Sequence, residues 1–233
     1  MLFLFRFEII ISFFSFLKRV ERTPEDIFLS GLLELQYGKA NLPFLKETAQ
    51  LVPWAAGWPQ DKHAFWNAEA FMWSRKIERN VRMLIKEELA FLEQGCNLDL
   101  GCGAYSYIPS VGFDLSEKML VFNENCLGRV QGDVEESLPF AESSFDSVTA
   151  IFLLNYVRNY LQLFREVRRV LGEKGVFVMV LSAKPINEWQ RQKEVNAFGP
   201  EKWFAILDKA GFIVEIKKKE ELFFYTCVKS NIY

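Results

Sequence analysis

The sequence predicts an α/β fold: a mostly parallel sheet wound with helices on both faces, preceded by a helical N-terminal extension. Three observations predict it. Short apolar runs at Asn97–Leu100, Val111–Leu115, Ser147–Phe152 and Val176–Leu181 alternate with helix-like or loop segments, as parallel strands joined by crossovers do. The first run empties into a glycine pair, Gly101 and Gly103. The last two runs, Phe212–Ile216 and Leu222–Val228, flank a charged turn and read as an antiparallel hairpin.

The 233 residues suit one such domain, over residues 64–233, with an extension over 1–63 acting as a lid or docking segment. Half the residues are apolar and a quarter charged, so neither disorder nor a coiled coil is expected. The formal net charge of −2 lacks the basic excess that nucleic-acid binding needs. Lys217, Lys218 and Lys219 are followed by Glu220 and Glu221 and read as a solvated turn. Cys96, Cys102, Cys126 and Cys227 lack zinc-knuckle spacing, and His63 is the only histidine, so no metal site is expected. Reduced cysteines fit a cytoplasmic protein.

Residues 2–17 are rich in Phe, Leu and Ile, but Arg6 and Glu8 interrupt them. The uncharged stretch Ile9–Leu17 is too short to span a bilayer, and no small-residue cleavage site follows. Three readings stand: a helix packed on the domain or a partner, a peripheral membrane contact through residues 1–17, or a misplaced start codon.

Along the chain, Thr23 reads as an N-cap with Pro24 in the first turn of a helix that stops at Gly38. Residues 41–62, broken by Pro43, Pro53, Gly57 and Pro59, read as a loop-rich segment. Trp66, Ala70, Trp73, Ile77, Val81, Ile85, Leu89 and Leu92 then recur at three- and four-residue spacing, predicting one long helix that Gly95 ends. Arg75, Lys76, Arg79 and Lys86 lie off that stripe, as a solvated face. Leu161–Leu171 is a helix closed by Gly172–Gly175, and Pro200–Ala210 another, with Gly211 after it.

The chemistry gathers at the strand ends. Asn97-Leu98-Asp99-Leu100-Gly101-Cys102-Gly103 is a buried strand opening into a loop where the backbone can approach a ligand. Ser106 stands where a dehydrogenase fingerprint has its third glycine, and no Gly-Lys-Ser/Thr follows, so the dinucleotide and Walker loops are both disfavoured. Asp114 ends the second strand, where a carboxylate can accept both ribose hydroxyls of a nucleoside.

Gly132-Asp133-Val134, Leu138-Pro139-Phe140, Phe145-Asp146, Phe164–Leu171 and Ala210-Gly211-Phe212 follow in order. Together with the acid-x-Gly-x-Gly loop, this series resembles the type 11 domain of class I S-adenosylmethionine-dependent methyltransferases over about residues 64–229. The resemblance implies a Rossmann-like, seven-stranded sheet and S-adenosylmethionine as cofactor. Gly101, Cys102 and Gly103 would line the methionine part, with Asp99 shaping their loop. Asp114 would hold the ribose and Leu115 flank the adenine, while Asp133 and the Val134 amide read the adenine edge. Phe152 would border the methionine. Two departures stand out: Tyr105 replaces the family's third glycine, and only fifteen residues separate Asp99 from Asp114, room for one helical turn.

Methyl transfer needs alignment more than acid–base chemistry. His63, Asn155 and Tyr156 are the candidates for contact with the acceptor, each with a structural reading beside it. The Asn/Asp-Pro-Pro-aromatic motif of nucleic-acid amino methylation is replaced by Leu154-Asn155-Tyr156-Val157. A small-molecule acceptor is expected, and Trp54, Trp58, Trp66, Trp73 and Trp189 could wall its pocket or serve as core. A non-catalytic module docking a partner through the hydrophobic N-terminus is the rival reading. Oligomeric state is left open.

Overall fold

The computed structural model describes residues 22–184 and 191–230. The apolar segment 1–17 and Trp189 lie outside them. The chain divides into two compact units, Met1–Asp61 and Lys62–Tyr233.

In the first unit, α1 (Pro24–Gln36) starts on a capping box in which Thr23 and Asp26 satisfy each other's backbone amides. Gly38, at φ 67°, carries the chain out of it. Residues 41–62 are not all loop. Helix α2 (Leu42–Ala49) forms there because Pro43 sits in the first turn, where its missing N–H is no loss, and the Asn41 side chain accepts from Phe44 N. Gly31 lets the two helices approach, since a Cβ there would lie 2.6 Å from a Leu45 methyl. Trp54 and Trp58 pack edge-on to Phe28, at centroid distances of 5.6 and 5.5 Å.

The second unit opens with α3 (Lys62–Lys76) and α4 (Arg79–Leu89), which correct the expectation of one long helix. The apolar stripe runs through the junction, but Glu78 is extended (φ −60°, ψ 149°) and breaks the hydrogen-bond ladder, with Ile77 buried at the corner. Lys76 is not part of a solvated face. It pairs with the buried carboxylate of Glu69 one side of the break.

The sheet strands are β1 (Asn97–Leu100), β2 (Ser110–Asp114), β3 (Cys126–Gln131), β4 (Phe145–Ile151), β5 (Leu171–Ser182), β6 (Phe212–Lys219) and β7 (Leu222–Lys229). Their order is β3-β2-β1-β4-β5-β7-β6, with β1 to β5 parallel and β7 antiparallel to both its neighbours. Short α5 (Glu117–Phe122) leads into β3, α6 (Tyr160–Val170) precedes β5, and α7 (Pro200–Lys209) precedes β6. Residues Gly172–Gly175 belong to β5 rather than closing a helix, so α6 passes into its strand without a loop.

Both faces of the sheet are covered, as a parallel sheet requires. Phe177 and Met179 of β5 join Leu98, Leu100, Val148 and Ala150 against Phe164 and Val167 of α6 and Trp203 of α7. Val178 and Val180, alternating with them, face Ile85 and Leu89 of α4. Lys217 and Lys219 lie on β6 rather than in a turn, and both pair with Glu88 of α4; the turn itself is only Glu220 and Glu221. No helix among the described residues is long and apolar enough to cross a membrane.

Candidate functional site

The strand order reverses between β1 and β4: the chain runs outward through β2 and β3, then returns to place β4 on the other side of β1. Connections leave in opposite directions at that point, so a crevice opens beyond the carboxyl ends of the central strands. A cleft open to solvent lies there. Gly101, Gly103, Asp114, Leu115, Asp133, Val134, Phe152 and Tyr156 all line it. These eight of the sequence-predicted residues thus converge on one cleft from four strands.

The floor is the glycine loop. Gly101 and Gly103 have φ of 59° and 58°, the left-handed region where a side chain is strained. A Cβ on Gly101 would lie 2.5 Å from a Leu153 methyl, and one on Gly103 would lie 3.0 Å from Trp73 Nε1. The cleft is therefore a cradle that any side chain would fill. Cys102 between them is buried and outside the lining.

Asp114 at the end of β2 accepts from the Gly103 amide at 2.9 Å and the Ser116 amide at 2.8 Å, so it both lines the cleft and holds the loop. Burial raises its carboxyl to about 6, against those amides, which act to lower it. Asp99 lies below the loop, on the face of β1 opposite Leu98 and Leu100, where Thr149 Oγ1 donates to it at 2.8 Å. Its carboxyl is also raised to about 6, by burial first and by the nearby Asp114 charge. It shapes the loop from beneath and does not line the cleft.

The two departures from the family pattern have structural answers. Tyr105 turns toward α4, stacking edge-on to Tyr107 with Arg82 over its ring at 4.8 Å, and is not in the lining. No helix forms in the short crossover between β1 and β2. The fully buried Asn123, after α5, braces the loop instead. Its amide donates to Gly103 O and Ser106 Oγ, both at 3.0 Å, and its carbonyl accepts from the Ser106 amide at 3.2 Å.

Lys62, a residue sequence reasoning passed over, stands at one rim. Its ammonium lies 2.9 Å from both Asp133 and Glu135. Burial alone would lower the ammonium's pKa, but the two carboxylates outweigh it and hold it above the usual lysine range. Glu135 also accepts from the Arg158 and Asn159 amides, tying the loop after β3 to the start of α6. The local sequence signal was a lone lysine before a helix, which points nowhere by itself.

The opposite wall is aromatic. Trp66 lies edge-on to Tyr156 (5.0 Å) and to Trp73 (6.5 Å), and both tryptophans line the cleft while also belonging to the apolar stripe of α3. Phe152 closes the end of β4 at φ 56°, a strained setting for a bulky residue. Burial, then Glu194 and Glu69, pushes the Tyr156 phenol above its ordinary range. His63 is exposed in the first turn of α3 and does not line the cleft. Asn155 faces a neighbouring cavity and donates to Glu194 at 3.3 Å.

Residues 92–179, from the end of the α4 region through most of β5, match the sequence pattern of the methyltransferase-domain family of type 11. Over those residues the chain is similar to a methyltransferase domain. Demethylmenaquinone methyltransferase of Staphylococcus haemolyticus (strain JCSC1435) is 35% identical over 94 residues, which is 38% of this chain and 38% of that protein. The chain therefore spans well under half the length of that curated relative. Among solved structures, a chain of the complex between the Haloferax volcanii Trm112 methyltransferase activator and a methyltransferase superposes with a TM-score of 0.60 at 17% identity, covering 71% of this chain and 98% of that one. A SAM-dependent methyltransferase from Archaeoglobus fulgidus gives 0.57 at 19% identity, covering 68% and 99%. At these identities the superpositions show a shared fold and nothing more. In it, Asp114, the glycine loop and Asp133 sit at the sheet's switch point.

Proposed function

We propose that this protein transfers a methyl group from S-adenosylmethionine to a flat, largely apolar small molecule. The observation that carries the reading is the convergence of the glycine cradle, Asp114 and Asp133 on one cleft whose remaining wall is aromatic. Gly101 and Gly103 leave room for the methionine part, and the Asp114 carboxylate accepts the ribose hydroxyls. Asp133 and the Val134 amide address the adenine edge, with Leu115 against the ring.

When bound, the cofactor supplies a methyl on a sulfonium that already carries its leaving group, so the protein's task is alignment. Phe152 and Leu153 floor the reacting end, while Trp66, Trp73 and Tyr156 present ring faces and edges that suit a planar acceptor. The Tyr156 phenol stays protonated at neutral pH and so donates a hydrogen bond rather than taking a proton. An acceptor that ionises readily by itself, such as a phenol or quinol, fits that wall. The demethylmenaquinone methyltransferases among the relatives act on a molecule of that class, which supports the reading.

The test is transfer of labelled methyl from S-adenosylmethionine to a panel of phenols, naphthoquinols and hydrophilic amines. Label is expected in the phenol or quinol extracts. Label confined to hydrophilic amines would overturn the acceptor class, and label in none would leave a binding module as the better account.

A further inference from the structure

Beneath the glycine loop lies a feature that methyl transfer does not use. Gly112, in the middle of β2, has Cys102 and Cys126 against it: a Cβ there would sit 2.8 Å from Cys102 Sγ and 2.3 Å from Cys126 Sγ. The two sulfurs converge on the space that a side chain would occupy. One belongs to the loop, between Gly101 and Gly103; the other begins β3. Neither is in a disulfide.

We propose that Cys102 and Cys126 are a reversible oxidation site, converted by a hydroperoxide to a disulfide that distorts the cofactor-binding loop. The chemistry divides between them by environment. Cys126 is half-buried, and its thiol is held below the usual range, first by the neighbouring Cys102 thiol and then by Ser106, against the effect of burial. Ser106 Oγ lies 3.6 Å from its sulfur. Cys102 is buried and held above the usual range by the same pairing, so it keeps its proton.

The Cys126 thiolate attacks the terminal oxygen of the hydroperoxide. An S–O bond forms, the O–O bond breaks, and the released alkoxide or hydroxide takes a proton. Cys102 then attacks the sulfenic sulfur: the S–S bond forms, the S–O bond breaks, and hydroxide leaves as water with the Cys102 proton. Two electrons pass from the thiol pair to the peroxide.

A disulfide holds its sulfurs at about 2 Å, much closer than two unbonded sulfurs lie. The closure must move Cys102 or Cys126. Cys102 lies in the loop between two glycines, its amide donating to Phe113 O at 3.3 Å, while β3 is held by its ladder to β2 and by Arg129, which donates to Leu120 O at 2.6 Å and Asn123 O at 2.7 Å. Moving Cys102 displaces the Gly103 amide from Asp114 and the Gly103 carbonyl from Asn123. The loss of cofactor affinity rests on the proposed function; disulfide formation and loop distortion do not.

The experiment treats the reduced full-length protein with hydrogen peroxide and reads three quantities. Peptide mass spectrometry without reductant should find the Cys102 and Cys126 peptides linked. Hydrogen exchange over residues 101–106 should rise at least tenfold, and S-adenosylhomocysteine affinity should fall at least tenfold. A phosphine reductant should reverse all three, and C126S should show none of them. Absence of the linked peptide would overturn the proposal and leave an inert packing pair. A linked peptide with unchanged exchange would equally overturn the switch. Failure of the reduced protein to bind S-adenosylhomocysteine would count against the proposed function, with mass and exchange still deciding the disulfide.

Discussion

Asp114→Asn separates the two roles of that carboxylate, holding the loop and holding a ligand. The residue is 7% exposed, and its carboxyl is raised from 3.8 to about 6 by burial. Two pKa units are worth about 3 kcal/mol, so at pH 7.5 the fold carries roughly that cost for an ionised group. Asparagine removes this cost. It also points an NH₂ at one of the two amides, from Gly103 or Ser116, that the carboxylate accepts, and an unsatisfied buried donor costs about 1–3 kcal/mol. The two effects largely cancel, and unligated stability at neutral pH should change by no more than about 2 kcal/mol.

Binding has no such cancellation. Hydrogen bonds to a charged acceptor contribute about 1.5–3 kcal/mol each, so S-adenosylhomocysteine affinity should fall roughly a hundredfold or more. The pH dependence checks the same group. Because the folded value exceeds the unfolded one, the folded protein holds more protons between 3.8 and about 6, and unligated stability declines as pH rises through that window. Asp99 adds to the decline in the same direction. Affinity moves the other way, falling as pH drops below about 6, since the ribose needs the ionised acceptor. Asp114→Asn should reduce the first dependence and abolish its own part of the second. Calorimetric titrations at pH 5.5 and 7.5, beside urea melts at both, read all of this. Affinity within threefold of wild type at pH 7.5 would refute the ribose assignment.

Three further outcomes are expected. Asn123→Ala removes the brace that stands in for a helix between β1 and β2; urea melts should show a loss of about 2–4 kcal/mol, as several buried backbone groups lose partners. Gly112→Ala forces a methyl against two sulfurs and should cost about 1–3 kcal/mol in the same measurement. Lys62→Met frees Asp133 from a pair whose lysine is 41% exposed, so stability should shift by less than about 1 kcal/mol. Its S-adenosylhomocysteine affinity should rise a few-fold in calorimetry, whereas a tenfold loss would show that Lys62 supports the ligand instead of competing with it.

The central strands were legible in the sequence because they are buried on both faces and therefore read as continuous apolar runs bounded by glycines and acids. Strand β3 was not. It is an edge strand whose residues alternate between half-buried and exposed, with Leu127 78% exposed and Gly128 in its middle, so its apolar signal is diluted. The break between α3 and α4 was hidden for the opposite reason: Ile77 continues the stripe through the corner, and a single extended residue leaves no mark on periodicity. At the site, the loop and its acids were legible as local motifs. Asn123, Lys62 and the Cys102–Cys126 pair were not, since each acquires its role from residues distant in the chain.

The most direct test of the account is calorimetric titration of the reduced protein with S-adenosylmethionine, S-adenosylhomocysteine and NAD in parallel. The account predicts micromolar binding of both adenosyl ligands and none of NAD. Binding of NAD, or of neither adenosyl ligand, would contradict it.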